Sequence, residues 1–386
     1  MTDLYPRILR LPSQSFFLLG PRGTGKSTWV RAALPGARRL DLLDEDVYHP
    51  FLAHPALLAE ELRAIPEGGW VVLDEVQRLP ALLNTVHRFI EERRLRFALC
   101  GSSARKLKRE GTNLLAGRAL RLELHPFLPE ELGPDFSLEA ALVHGTLPVI
   151  WTSPSRREAL GAYARMYLRE EIQAEAAVRN LSGFARFLPI AALFHAQVLN
   201  ASSLARDAGV SRTTVLGYLE VLEDTLVAFR LPAFEARLRV RERKHPKLYL
   251  FDAGVVRALK GHLSDRPAPE ERGALFEGWV ASLLRAYGHH RGLFEDWAYW
   301  SPAESRTTEV DFLLRRGREF LAVEAKLGRA PTGDDLAGLR AIRGLKGLVR
   351  RVLVCTAERA RKTEDGIEVL PAARFAELLA SRRLWP

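Results

Sequence analysis

Short, unbroken apolar runs alternate with stretches of helical spacing through the first hundred or so residues. The runs at 16–19, 70–73 and 97–100 show no polar alternation, whereas 56–64 and 84–93 repeat apolar residues at helical intervals. Strands without a polar face, separated by helices, predict a parallel sheet covered on both sides. After Gly133-Pro134-Asp135 the pattern turns wholly helical, with amphipathic helices expected over 156–175 and 184–199. Residues 202–222 have the spacing of a helix-turn-helix, and a second α/β pattern follows Ser264-Asp265-Arg266-Pro267. The expected order is a parallel-sheet domain over 1–135, a helical linker or lid over 136–195, a winged helix-turn-helix over 196–255 and an α/β domain over 256–386.

Composition narrows the class without changing that outline. With 386 residues, 47% hydrophobic and 27% charged, the chain is neither disordered nor fibrous and can bury more than one core. The longest apolar run, 188–199, is broken by His195 and Gln197 and falls short of the roughly 20 residues a spanning helix needs, so no membrane helix is expected. The first six residues lack a basic start and an apolar core, which predicts no export signal and a cytoplasmic setting. Cys100 and Cys355 lie in apolar, strand-like segments, so they are expected as buried thiols, with no zinc-binding pattern. Lys plus Arg (57) exceed Asp plus Glu (47), a net charge of +10 that suits a polyanionic partner without choosing one.

The most specific local signal is Gly20-Pro21-Arg22-Gly23-Thr24-Gly25-Lys26-Ser27, which follows an apolar strand and precedes a helix beginning at Thr28. Glycines let the backbone wrap phosphates so that amides and a helix N-terminus face the negative charge. In that arrangement Lys26 reaches the β and γ phosphates and Ser27 binds Mg²⁺. The run 70–73 ends in Asp74-Glu75, which assigns Asp74 to the metal and Glu75 to activation of the attacking water. The run 97–100 ends in Gly101-Ser102-Ser103, where Ser102 or Ser103 is a candidate sensor of the γ-phosphate. No segment of the kind that reads guanine is present, which favours ATP.

These motifs, with Leu115-Ala116-Gly117-Arg118-Ala119-Leu120 leading to His125-Pro126-Phe127, and with Pro246-Lys247-Leu248-Tyr249-Leu250-Phe251-Asp252-Ala253-Gly254, resemble the bacterial and archaeal AAA-type ATPases that carry a C-terminal DUF4143 domain. The resemblance spans nearly the whole chain. It implies an ATPase and leaves the physiological substrate open. In related ATPases an arginine near the position of Arg118 touches the γ-phosphate, in its own subunit or a neighbour's, which makes Arg118 a candidate.

In the helix-turn-helix, Ser211 caps the second helix, and Arg212, Thr213 and Thr214 stand at its start, where a recognition helix meets DNA. Leu216, Leu219 and Leu222 give that helix an apolar stripe. The following segment, 237–244, alternates cationic and apolar residues, so Arg239, Arg241, Arg243 and Lys244 are candidate phosphate contacts on a β-ribbon. Further on, 309–314 and 320–326 read as two strands of a hairpin carrying Asp311, Glu324 and Lys326. Two carboxylates can bind Mg²⁺ while a lysine orients water, and Glu277 on the preceding helix adds an oxygen. This set resembles the PD-(D/E)xK nuclease fold, without the proline before Asp311.

The sequence therefore predicts an α/β chain: a P-loop NTPase (AAA-type) parallel sheet, a helical linker, a winged helix-turn-helix and a PD-(D/E)xK nuclease-like domain. The expected activity is Mg²⁺-dependent ATP hydrolysis by a homo-oligomer that binds, remodels or moves along duplex or branched DNA. The alternatives are a nucleotide-dependent switch that binds protein partners and an ATP-licensed, structure-selective nuclease.

Overall fold

The structure, a computed structural model, describes residues 5–102, 115, 117–167, 180–235, 242–303 and 308–386. Strands β1 (Phe16–Leu19), β2 (Arg38–Asp41), β3 (Trp70–Asp74), β4 (Arg96–Gly101) and β5 (Leu120–Glu123) form one parallel sheet in the order β2-β3-β4-β1-β5. The three apolar runs are its three central strands, and alternate residues on them face opposite layers. Val71, Leu73, Phe97 and Leu99 pack into one core with Val86 and Phe89, whereas Phe16, Val72, Ala98 and Cys100 pack into another with Trp29 and Val30. Helices α1 (Lys26–Ala33), α2 (Glu45–Ala53), α3 (Leu57–Arg63) and α4 (Leu82–Arg93) supply the covering layers. Each fully buried large apolar side chain is worth about 1.5–3 kcal/mol. Cys100 and Cys355 are buried and unbridged.

The helical region departs from the expected pattern in two places. The stretch from Arg156 forms the helix Arg156–Ala162 and a π-helical turn Tyr163–Tyr167, and its remainder lies outside the described residues. The helix expected over 184–199 is Leu181–Leu193, ending six residues early. Ala196 takes a left-handed φ of 60°, and the amides of Ala196 and Leu199 donate to the carbonyls of Leu248 and Pro246. Pairing with a distant strand thus outcompetes helical spacing. The result is a small antiparallel sheet, β6 (Gln197–Val198), β7 (Ala228–Leu231) and β8 (Lys247–Leu250), in the order β6-β8-β7.

Between β6 and β7 stand helices Ala201–Ala208 and Arg212–Asp224, joined at Gly209 in the left-handed region (φ 63°) and capped by Asn200 and Ser211. The buried stripe of the second helix is Val215, Tyr218, Leu219 and Leu222, while Leu216 is only half-buried. Tyr218 takes the central place because its ring packs on Phe184 and Phe187 and its hydroxyl donates to the Asn180 carbonyl.

After helices Ala253–Lys260 and Pro269–Arg291 comes a mixed sheet of β9 (Asp296–Trp300), β10 (Val310–Arg316), β11 (Glu319–Ala325), β12 (Leu348–Cys355), β13 (Arg361–Lys362) and β14 (Glu368–Pro371). Its order is β13-β14-β12-β11-β10-β9, antiparallel from β9 to β11 and parallel from β11 through β12 to β14. One continuous buried cluster runs from Leu128 to Trp385 and includes Leu142, Phe187, Leu219, Leu248, Phe276 and Phe312. The expected boundaries at 195/196 and 255/256 fall inside this shared core. No helix among the described residues is long and apolar enough to cross a membrane.

Candidate functional site

The segment after β1 is a loop built to lie against an anion. Gly23 and Gly25 take φ of 83° and 85°, a region that strains any residue with a Cβ. Gly25 is the N-cap of α1, no side chain caps it, and the helix starts at Lys26 rather than Thr28. The first amides of α1 therefore have no side-chain acceptor there, and its dipole favours negative charge at that end. Lys26 is buried, and its Nζ donates to the carbonyls of Gly20 (2.8 Å) and Pro21 (3.2 Å). Thr24 Oγ1 also donates to Pro21, at 2.9 Å, and is consumed within the loop. Arg22, Ser27 and Thr28 lie on the open side, and the Arg22 carbonyl accepts from Tyr163 OH at 2.9 Å.

With β4 between β1 and β3, the carboxyl ends of all three open on one edge. The Cys100 thiol, raised well above its usual range first by burial, also feels Asp74, Glu75 and Lys26 at once. Asp74 Oδ1 accepts from the Glu75 amide at 3.1 Å, and Glu75 takes a left-handed φ of 55°. Gln77, which sequence reasoning passed over, is buried and donates to Glu75 Oε2 (2.6 Å) and Ser102 Oγ (3.2 Å). It ties the candidate base to the candidate sensor. Ser103 lies outside the described residues.

Arg118 is not brought to this edge. Leu120 pairs with Phe16 at the start of β1 and its amide donates to Ser15, so Arg118 sits at the end of β1 remote from the loop. There it pairs with Glu91 on α4. In this structure Arg118 therefore does not face the loop of its own chain.

Beside the loop is a cavity of about 570 Å³ lined by Tyr5, Arg7, Trp29, Phe127, Pro148 and Val149 among others, within the size range of small-molecule sites. Arg7 holds it together: Nη1 donates to Thr24 O at 2.8 Å, Nε pairs with Glu131 at 3.0 Å, and the guanidinium lies 5.0 Å from the Phe127 ring centre. No sequence signal joined the cavity residues, because they come from four separate stretches. On the other side of the loop, Glu123 meets Arg285 (2.9 Å) and His289 (3.3 Å), and His289 meets His125 (3.0 Å). Burial would raise the Glu123 carboxyl, but Arg285 and His289 hold it below its ordinary range. The donor atoms of Glu123, His125 and His289 lie within 4.8 Å of one another, a His-containing cluster the sequence did not predict.

The C-terminal candidates converge on the six-stranded mixed sheet, the second of the two large sheets. Asp311 on β10 is wholly buried, its Oδ2 accepting from the Ala325 amide at 3.0 Å, and Glu324 accepts from the Asp311 amide at 3.2 Å. Lys326 Nζ lies 2.7 Å from Glu324 Oε1. Glu277 and Glu309 complete the group, and three of its carboxylates surround Lys247 of β8, whose Nζ is 2.9 Å from Glu277, 2.9 Å from Asp311 and 3.3 Å from Glu309. Tyr249 OH donates to Glu277 at 2.6 Å. Burial, then Asp311, push the Glu277 carboxyl up to about 7, and burial raises Glu324 well above its range. Lys247 is driven down by burial but held well above its ordinary value by Asp311 and Glu277. Oxygens of Glu277, Glu309 and Asp311 lie within 4.8 Å of one another, a spacing that could hold a metal ion, and the Lys247 ammonium stands among them.

Of the candidate DNA contacts, Arg212 and Thr213 are exposed, while Thr214 is half-buried with its hydroxyl 2.8 Å from Ser211 Oγ. Lys244 is exposed and pairs with Glu235 at 3.4 Å; the Arg243 amide donates to Ser301 at 3.0 Å. Arg239 and Arg241 lie outside the described residues. The described residues on the β7 side of that segment are bonded to β9: the Phe234 amide donates to Tyr299 and the Tyr299 amide to Pro232.

Residues 12–133 match the family model of the AAA domain, 135–266 that of a domain of unknown function (DUF8612) and 272–375 that of a domain of unknown function (DUF4143). The chain carries an AAA-type domain with a C-terminal DUF4143 domain. It is 27% identical over 365 residues to the uncharacterized protein Rv2008c of Mycobacterium tuberculosis, covering 92% of this chain and 79% of that one. Among solved structures, the Aeropyrum pernix ORC1 protein in complex with DNA is similar at TM-score 0.27 and 15% identity, covering 67% of this chain and 88% of that one. Protein VC1899 from Vibrio cholerae is similar at TM-score 0.22 and 14% identity, covering 96% and 97%.

Proposed function

We propose that this protein is a Mg²⁺-dependent ATPase whose C-terminal half grips DNA, duplex or branched, and whose nucleotide state changes that grip. The observation that carries the first part is Lys26, buried and, among the described residues, bonded to loop carbonyls beside the uncapped start of α1 and a cavity of suitable size. A phosphate offers that ammonium a charged acceptor in place of neutral ones. Ser27 and Asp74 would hold Mg²⁺, which supplies charge neutralisation for the phosphates. Glu75 positions the attacking water, Gln77 couples it to Ser102, and the cavity from Tyr5 to Val149 takes the base.

The second part rests on the exposed Arg212 and Thr213 at a helix start, the β7–β8 ribbon and the net charge of +10. We read the helix pair with that ribbon as a winged helix. The β9-β10-β11 meander followed by parallel β12, with Asp311, Glu324 and Lys326 on it, supports a PD-(D/E)xK-like sheet. Arg118, facing away from its own loop, fits a homo-oligomer in which it serves a neighbour's nucleotide.

The test is ATP turnover and gel shift with single-stranded, duplex and branched DNA at two salt concentrations. The reading expects turnover that DNA stimulates and binding that weakens with salt. Absence of ATP and ADP uptake in magnesium buffer would remove the ATPase. Indifference to every DNA, with a stable protein partner recovered instead, would favour the switch.

A further inference from the structure

The fold uses almost every residue of the Pro246-to-Gly254 segment. Lys247 and Tyr249 share one face of β8, and both bond Glu277. Asp252 caps the helix Ala253–Lys260 and accepts from the Thr146 amide at 2.7 Å. At Gly254 a Cβ would meet the His144 carbonyl oxygen at 2.2 Å. The second half of the segment therefore seats a helix, whereas the first half delivers an ammonium.

That ammonium is 2% exposed and touches oxygens from three carboxylates, Glu277, Glu309 and Asp311, which arise from a helix, a loop and a strand. Its three protons match three acceptors. The strand carrying it is fixed by β6 on one edge and β7 on the other. The acidic oxygens that the nuclease-like sheet would offer a divalent ion are thus already turned toward one cationic centre, reached from outside the sheet.

We infer that Lys247 is the resident cation of the carboxylate group, so that the helix-turn-helix module supplies by side chain what a PD-(D/E)xK nuclease takes up as metal. The C-terminal sheet then holds DNA without cutting it. This rests on reading that sheet as PD-(D/E)xK-like. It accounts for the burial of a lysine beside a site whose own lysine, Lys326, is already paired with Glu324.

The experiment is Mn²⁺ titration of the full chain without nucleotide, followed by electron paramagnetic resonance, for the native protein, Lys247→Met, Asp311→Asn and Lys247→Met/Asp311→Asn. The native protein is expected to show no Mn²⁺ uptake that depends on Asp311. Lys247→Met is expected to gain one site per chain, about tenfold or more tighter than any in the native protein, that Asp311→Asn abolishes. Lys247→Met/Glu277→Gln, which removes one negative charge with the positive one, replaces Lys247→Met if that variant does not fold. Native uptake lost in Asp311→Asn would overturn the inference while leaving the fold reading intact. A folded Lys247→Met with no new uptake would overturn the inference and the PD-(D/E)xK-like reading together. ATP turnover on the same preparations reports on the nucleotide site separately.

Discussion

Two buried lysines stand in opposite surroundings. Lys26 rests against two neutral main-chain oxygens at the rim of an open loop, whereas Lys247 is enclosed by three carboxylates inside a packed sheet. Neutral acceptors give way to a phosphate, because an anion adds charge–charge attraction that a carbonyl lacks. Carboxylates do not give way, since parting them from the ammonium leaves several uncompensated charges in the interior. The same side chain is exchangeable in one place and resident in the other, and the charge of its partners decides which.

Cutting each lysine should break this comparison in different currencies. The largest effect is expected for Lys26→Ala, with ATP turnover at least about a hundredfold lower and the melting temperature little changed. Phosphate release and a thermal melt check it; retained turnover would equate the two lysines. Glu75→Gln should keep nucleotide binding by calorimetry while lowering turnover to a similar degree. Lys247→Ala should instead leave nucleotide uptake intact and cost about 3–5 kcal/mol of stability in urea unfolding. A cost below about 1 kcal/mol would mean that the carboxylates need no cation.

A third buried group sharpens the contrast, because burial keeps it uncharged. His195 is 1% exposed, its Nδ1 accepts from the Leu250 amide at 3.1 Å, and burial lowers it to about 3. The unfolded chain protonates this group near pH 6.5, so its contribution is complete above that pH and is lost as pH falls toward 3. Between pH 6.5 and 5 the loss is about 2 kcal/mol. His290, lowered to about 3 mainly by burial, acts in the same direction. Urea unfolding of His195→Asn at both pH values should show the slope reduced by about one proton. The smallest effect is expected at the exposed pair Arg38–Glu61, where Arg38→Ala should cost under about 0.5 kcal/mol.

The central strands were legible because burial on both faces writes itself as an unbroken apolar run. The edge strand β2, Arg38-Arg39-Leu40-Asp41, buries only Leu40 and left no such trace. The phosphate loop was legible because its parts are contiguous, whereas the adjoining cavity draws Tyr5, Phe127 and Pro148 from distant stretches. Glu277, Asp311, Glu324 and Lys326 were picked out by alternation and spacing, but their common partner was not. Lys247 lies 64 residues before Asp311, and only the docking of β8 against the second sheet brings them together. Helical spacing over 184–199 misled for the same reason, since the competing partner of Ala196 is Leu248.

Pro232 and Phe234, just after β7, are bonded to Tyr299 of β9, and Phe229 stacks between Tyr249 and Trp297 at 5.3 and 5.6 Å. The helix that begins at Arg212 shares one buried cluster with the C-terminal sheet through Val215, Leu219 and Phe312, so packing rather than a free linker joins the two. An effort to express the helix pair alone would strip away that packing.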